Sequence, residues 1–284
     1  MPPSFAKAWQ TRACLAWDTL YPSDIVAFVE SVYSTTSSQS CALRSFRAFA
    51  RRYYPEIPDS WVGRAKLPRF KIYLQRKKDA QRVQEKADNP LTCNVQAYLA
   101  FMCELLAKDD VVALGLGLLM ATGRRTKEIA TCGKLRPTRK AHVENRSYWL
   151  RFSGPAKKRK AESAKLAWDI PLLAHGEQVF AAFTRFRELA AGTNVKSKLW
   201  QQDIKALLHD RFPDFALKTC RAIYTRLSFE LFNPFVAINT WTMRILGHTS
   251  IRIGLAYLNV RLANCRTPED THGILLPGFD MSRC

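Results

Sequence analysis

Apolar positions in the first part of the chain recur at helical spacing. Residues 24–33 (Asp-Ile-Val-Ala-Phe-Val-Glu-Ser-Val-Tyr) predict a helix, with Ser23 or Asp24 as its cap. The Ser/Thr-rich run 34–40 predicts a loop. Residues 41–54 predict a second helix, with Leu43, Phe46, Phe49 and Tyr53 on one face and Arg44, Arg47 and Arg51 on another. After Pro55, Pro58 and Pro68 the pattern predicts a strongly basic helix over 69–87. Asp88-Asn89-Pro90 ends it, because proline cannot continue a helix and restrains the residue before it. The domain boundary is placed there, giving units 1–88 and 89–284. In the second unit, helices are predicted over about 92–107 and 110–121; Gly123 breaks the latter, and a short helix restarts at Arg125 or Thr126. The period then changes. Residues 147–153 and 166–172 read as two strands flanking a basic loop, Gly154-Pro155-Ala156-Lys157-Lys158-Arg159-Lys160. Helical patterns follow at about 176–191, 197–210, 217–232, 240–247 and 250–263. The expected class is mainly α with one small antiparallel β-sheet (α+β). There is no internal repeat, heptad seam or P-loop.

Charge sharpens this picture. The chain has 284 residues, 47% of them hydrophobic, enough for a core in each of two domains. Lys and Arg number 44 against 24 Asp and Glu, a formal charge of +20. A chain this basic is expected to meet a polyanion, nucleic acid ahead of a membrane surface. No apolar run approaches the ~20 residues that span a bilayer. The start, Met1-Pro2-Pro3-Ser4, lacks the basic-then-apolar order of a signal peptide, so a cytoplasmic, nucleoid-associated protein is expected. The eight cysteines form no C-x-x-C pair and none has zinc-like spacing to a histidine, so free thiols and no metal or other cofactor are expected. Cys220 reads as a small helix residue.

The chemistry-bearing residues gather in separated boxes. Leu246-Gly247-His248-Thr249-Ser250-Ile251 precedes Tyr257, nine positions after the histidine. A helix turns once per about 3.6 residues, so an unbroken helix would set His248 and Tyr257 on opposite faces. A turn at Gly247-His248 and a new helix from Ser250 let both reach one point, which suits an imidazole holding a phosphate while a phenol attacks it. Far upstream stands Ala121-Thr122-Gly123-Arg124-Arg125-Thr126-Lys127-Glu128-Ile129, and between them Lys218-Thr219-Cys220-Arg221. Cleaving a phosphodiester without a metal requires fixed cations around the phosphate, an in-line nucleophile and a general acid. Arginine suits the first role, because its planar fork grips two oxygens and stays charged. A tyrosine whose pKa is depressed by cations suits the second. Tyr224, one turn beyond Arg221, is a competing tyrosine expected to be core.

Taken together these boxes resemble the scattered active site of the tyrosine recombinases. Thr122-Gly123-Arg124-Arg125-Thr126-Lys127-Glu128 resembles the family's T-G-x-R-x-x-E box, which makes Arg125 the first phosphate-binding arginine and Glu128 its buried partner. The strand-loop-strand of 147–172 resembles the hairpin that carries a catalytic lysine; Lys157 is the first choice for general acid, with Lys158 and Lys160 as rivals. Lys218-Thr219-Cys220-Arg221 resembles the box usually written H-x-x-R, with Arg221 as second clamp and Lys218 in the histidine's place. His248 then bonds a non-bridging oxygen, and Tyr257 attacks. The sequence departs from the family where Ile253 and Gly254 replace the usual threonines before the nucleophile.

Thr-Gly-Arg-Arg with Glu128-Ile129, the Ser-Gly-x-Ala-Lys hairpin and Lys218 are similar to the telomere resolvases, or protelomerases. The likeness covers roughly residues 92–262. It implies cleavage of a palindromic DNA junction by a dimer through 3′-phosphotyrosyl bonds, needing neither metal nor ATP, and closure of each end into a hairpin. The alternative implied is an integrase that joins two DNA sites in a tetramer. The first 88 residues match only in being small, basic and helical, and are expected to bind DNA. Arg124, Lys158, Arg44, Arg47, Arg51, Arg76 and Lys77 are candidate DNA contacts.

Overall fold

The computed structural model describes residues 21–55, 57–138, 146–155, 167–195, 198–232, 236–247 and 260–263. The chain divides into two compact units between Glu85 and Lys86.

The first unit is helical. Helix α1 (Pro22–Val32) is capped by Tyr21, not by Ser23 or Asp24. Pro22 takes the first helical position, where a missing N–H costs nothing, and the Asp24 carboxylate accepts from the Tyr21 backbone N–H at 2.9 Å. The run 34–40 is not a loop. Helix α2 (Thr36–Tyr53) starts inside it, because the Thr35 hydroxyl accepts from the Ser38 N–H at 3.2 Å and caps the helix early. Leu43, Phe46 and Ala50 of α2 bury against Ile25 and Val29 of α1. Val62 of helix α3 (Asp59–Arg64) and the flanking Ile57, Ala65 and Leu67 close this small core. Tyr53, expected on the buried face, is 56% exposed and rests its ring on Phe49, 4.8 Å away. Helix α4 (Arg69–Asp88) follows, with Phe70 and Tyr73 exposed among its basic residues.

The second unit is built around one helix that is apolar on every side. Strand β1 (Leu91–Asn94) leads into helix α5 (Val95–Ala107), capped by Asn94. Helix α6 (Val111–Thr122) is started by Asp110, whose carboxylate accepts from the N–H groups of Val112 and Ala113. Every residue from Ala113 to Thr122 is buried. Such a helix can only be central. It packs against α5, α7 (Gly176–Ala191), α8 (Lys198–Arg211) and α9 (Leu217–Phe232).

Beyond Gly123 the chain makes a wide helical turn, Glu128–Cys132, closed by the Gly133 N–H on the Glu128 carbonyl at 2.8 Å. Arg187 of α7 holds this turn by donating to the carbonyls of Ala130 at 3.0 Å and Gly133 at 2.6 Å. An antiparallel sheet follows in the order β2 (Lys134–Pro137), β3 (Trp149–Ser153), β4 (Ala167–Pro171). Leu135, Leu150, Phe152 and Ile170 turn inward, while Arg136, Arg151 and Asp169 stand on the other face. Helix α10 (Ile238–Leu246) ends the helical series among the described residues.

The last described element corrects the sequence reading. Val260–Ala263 is a strand, β5, not the end of a helix over 250–263. It pairs in parallel with β1, Leu91 opposite Val260 and Asn94 opposite Ala263. Four residues are too short a run to fix a period; a partner remote in sequence decided between helix and strand. Residues 250–259 lie outside the described residues.

Candidate active site

The site grows from the end of α6. Gly123 takes the left-handed conformation (φ +61°) that ends the helix, and its N–H returns to the Leu119 carbonyl at 3.0 Å. A Cβ there would stand 2.1 Å from the Tyr224 ring, so only glycine lets the backbone pass this close. The next turn fixes Arg125. Its backbone N–H donates to one Glu128 oxygen at 2.9 Å, and its Nη1 to the other at 2.6 Å. The Glu128 carboxylate is 1% exposed. It also faces Arg221 of α9, with Nη1 3.8 Å away.

Burial pushes the Glu128 pKa up, but Arg124, the Arg125 N–H, Arg221 and the Arg125 guanidinium together outweigh it and hold the carboxyl below its ordinary value. Among the described residues, the guanidinium groups of Arg124, Arg125 and Arg221 all act on this one carboxylate, three positive charges to one negative. An anion entering the site would complete the balance.

Arg221 is buried and turned toward backbone. Its Nη1 donates to the Gly123 carbonyl at 2.7 Å and its Nη2 to the Leu246 carbonyl at 3.2 Å. Leu246 is the last residue of α10, where helical carbonyls have no partner within the helix. The box around Gly123, the box around Arg221 and the residue two places before His248 are therefore joined by one side chain.

Arg124 corrects an expectation. It is 2% exposed, so it is not a surface contact for DNA. Its Nε donates to the Thr122 carbonyl at 3.1 Å and its Nη2 to the Ile245 carbonyl. Its guanidinium lies over the rings of Phe152 (4.8 Å) and Trp168 (5.9 Å). Burial draws its pKa down, opposed by Tyr224 and Glu128. Tyr224 itself is core: fully buried, with its hydroxyl donating to the Pro171 carbonyl at 2.7 Å and its pKa pushed up by burial.

Among the other expected residues, Lys218 is exposed in the first turn of α9, one turn before Arg221. Arg44, Arg76 and Lys77 are exposed on their helices. Arg47 and Arg51 are engaged within their own unit. Arg47 Nη1 donates to the Ala65 carbonyl at 2.6 Å, and Arg51 pairs with Asp59 at 2.6 Å, so both brace α3 against α2. Lys157, Lys158, His248 and Tyr257 lie outside the described residues. The sequence reading missed Phe152 and Trp168 as the flanking surface of Arg124, and Arg187 as the holder of the 128–132 turn. The alternation of the two strands could have flagged the aromatic pair; no local signal marks Arg187.

Two comparisons with known proteins found matches. The family model described as telomere resolvase ResT/TelK catalytic domain matches residues 89–259. Among solved structures, protelomerase TelA covalently complexed with substrate DNA superposes with a TM-score of 0.75 at 20% identity, covering 96% of this chain and 91% of that one. A TelA mutant complexed with a DNA hairpin product gives 0.73 at 19% identity, covering 94% and 91%. Protelomerase TelK complexed with substrate DNA gives 0.56 at 22% identity, covering 72% of this chain and 44% of that one. These likenesses establish the fold. No protein of curated function matches the sequence.

Proposed function

The chain belongs to the family of the telomere resolvase ResT/TelK catalytic domain, and from that premise we propose that it cuts and rejoins double-stranded DNA, converting a replicated palindromic telomere into two covalently closed hairpin ends. The observation that carries this reading is the gathering of Arg125 and Arg221 on Glu128 at the end of α10, immediately before the His248 box.

In this mechanism Arg125 and Arg221 hold the scissile phosphate, with Lys218 and His248 completing the cationic and hydrogen-bonding shell. The Tyr257 oxygen attacks phosphorus. A 3′-phosphotyrosyl bond forms, the bond to the 5′ oxygen breaks, and Lys157 gives that oxygen a proton. Each 5′-hydroxyl then attacks the phosphotyrosyl phosphorus on the other strand of its own duplex, releasing tyrosine and closing the hairpin. One phosphodiester is exchanged for another, so neither ATP nor a metal is needed. Arginines supply the fixed positive charge that a metal would otherwise provide. A palindrome presents the same junction to two copies of the chain, which act as a dimer on DNA. Residues 1–88 form a DNA-binding domain, with Arg44, Arg76, Lys77 and Lys158 among its own and the catalytic domain's contacts.

The test is incubation of the full chain with a panel of long palindromic duplexes, followed by a denaturing gel. Wild type is expected to give protein–DNA adducts and snap-back hairpins, and Tyr257→Phe neither. Junctions between two separate duplexes, without hairpins, would instead make the chain an integrase. Binding with no adduct on any duplex would end the enzymatic reading.

A further inference from the structure

We propose that Arg124 is a positioning residue that locks the β3–β4 hairpin to the C-terminal end of α10 and thereby sets where the chain departs toward His248. This rests on the functional reading above and deepens it. Three segments meet at one atom, the Ile245 carbonyl oxygen. Arg124 Nη2 donates to it, and so does Trp168 Nε1 from β4, at 3.2 Å. Trp168 in turn lies against Gly247, where a Cβ would stand 2.6 Å from the indole; the left-handed Gly247 (φ +65°) is the last residue before the histidine. The Arg124 guanidinium spans Trp168 of β4 and Phe152 of β3, the two strands whose connection carries Lys157. On its other side Arg124 is covalently next to Arg125, and its Nε fixes the Thr122 carbonyl.

A charge in this position is not chosen for stability. Well-packed apolar residues commonly hold a buried site as firmly as a desolvated ion does. What the guanidinium adds is direction: a rigid plane that stacks on aromatics while its edge donates to two fixed carbonyls. Lysine has neither the plane nor the fork. The side chain therefore ties the carriers of the first arginine, the general acid and the phosphate-binding histidine into one geometry, without touching DNA.

Arg124→Met, Arg124→Lys and Trp168→Phe in the full chain test this on a single cleavable palindrome. The measurements are the single-turnover rate of tyrosyl-DNA adduct formation, the Kd for DNA, and the melting temperature. Arg124→Met is expected to lose about 100-fold in adduct rate, the cost of an ångström-scale misplacement, with Kd within about threefold of wild type. Arg124→Lys should recover little of that rate. Trp168→Phe, which keeps a ring but removes the donor, should lose less than Arg124→Met and keeps the test alive if the latter does not fold. Assays are run equally far below each variant's melting temperature, which removes a merely structural contribution. Wild-type rates in Arg124→Met, or a parallel fall in rate and DNA affinity, would overturn the proposal. Absence of adduct in wild type would strike the functional reading instead. The positioning claim then stands or falls on amide exchange at Gly247, which must quicken in Arg124→Met relative to wild type and would refute the lock if unchanged.

Discussion

Glu128 and Arg221 come from distant parts of the sequence, yet their charged groups lie 3.8 Å apart, both almost wholly buried. The same carboxylate holds Arg125 at 2.6 Å, so one acid sets the separation of the two arginines expected to clamp a phosphate. Replacing Glu128 by Gln keeps the shape and removes the charge. Breaking a buried ion pair costs about 3–5 kcal/mol. Glu128→Gln should therefore lower the melting temperature clearly, and should slow adduct formation by displacing both arginines. A variant as stable and active as wild type would show that the carboxylate does not organise the site.

The same residue makes a pH prediction. Its folded pKa lies below the ordinary 4.5, so its ionised form favours the folded state. That contribution is complete above about 4.5 and disappears as pH falls through the lower folded value. Denaturant melts of wild type between pH 6 and pH 3 should show this loss, and Glu128→Gln should show a shallower decline.

Gly123→Ala places a side chain where φ is +61° and where the Tyr224 ring already stands. The left-handed conformation alone costs roughly 1–2 kcal/mol, and overpacking adds a further ~1–3 kcal/mol. Tyr224 has no free retreat, because its hydroxyl is bonded to Pro171. Equilibrium unfolding should register the sum. Tyr224→Phe, which removes that hydrogen bond together with the hydroxyl's interaction with Arg124, should cost at least about 1 kcal/mol and should not abolish adduct formation.

Cys93 and Cys220 are buried, and burial pushes both thiols up to about 12. Cys41 is exposed. Alkylation of the native protein at pH 8, read by peptide mass spectrometry, should label Cys41 quickly and the buried pair only on unfolding, since the thiolate is the reactive form. Rapid labelling of Cys220 would contradict its placement beside the arginine site.

Affinity for DNA should fall steeply with salt. The chain carries 44 basic against 24 acidic residues, and each neutralised phosphate releases counterions. A protein contacting six to ten phosphates loses about 10³–10⁵ in affinity between 50 and 200 mM salt. A flat dependence in a filter-binding or anisotropy titration would rule out the polyelectrolyte interface.

Helices were legible where apolar spacing was continuous and capped locally. The sequence bounds 176–191 and 217–232 coincide with α7 and α9. The Thr35 cap was hidden in a polar run because serine and threonine serve loops and helix starts equally. Strand β2, four residues with a proline, carries too little pattern to be seen. Strand β5 exists through its pairing with β1, a non-local fact. In the candidate site, box spacing singled out Arg125, Glu128 and Arg221, which the fold brings together. It could not separate Arg124 from its neighbour, because burial depends on Phe152 and Trp168, which approach from another segment.

The parallel pairing of β1 with β5 ties the last described strand to the opening of the second unit. Val260 is buried, and β5 packs on α9, the helix that bears Arg221. Tension on the backbone entering Val260 would therefore pass first into the β1–β5 ladder, along the strands rather than across them, the direction in which all the rungs of such a ladder resist together.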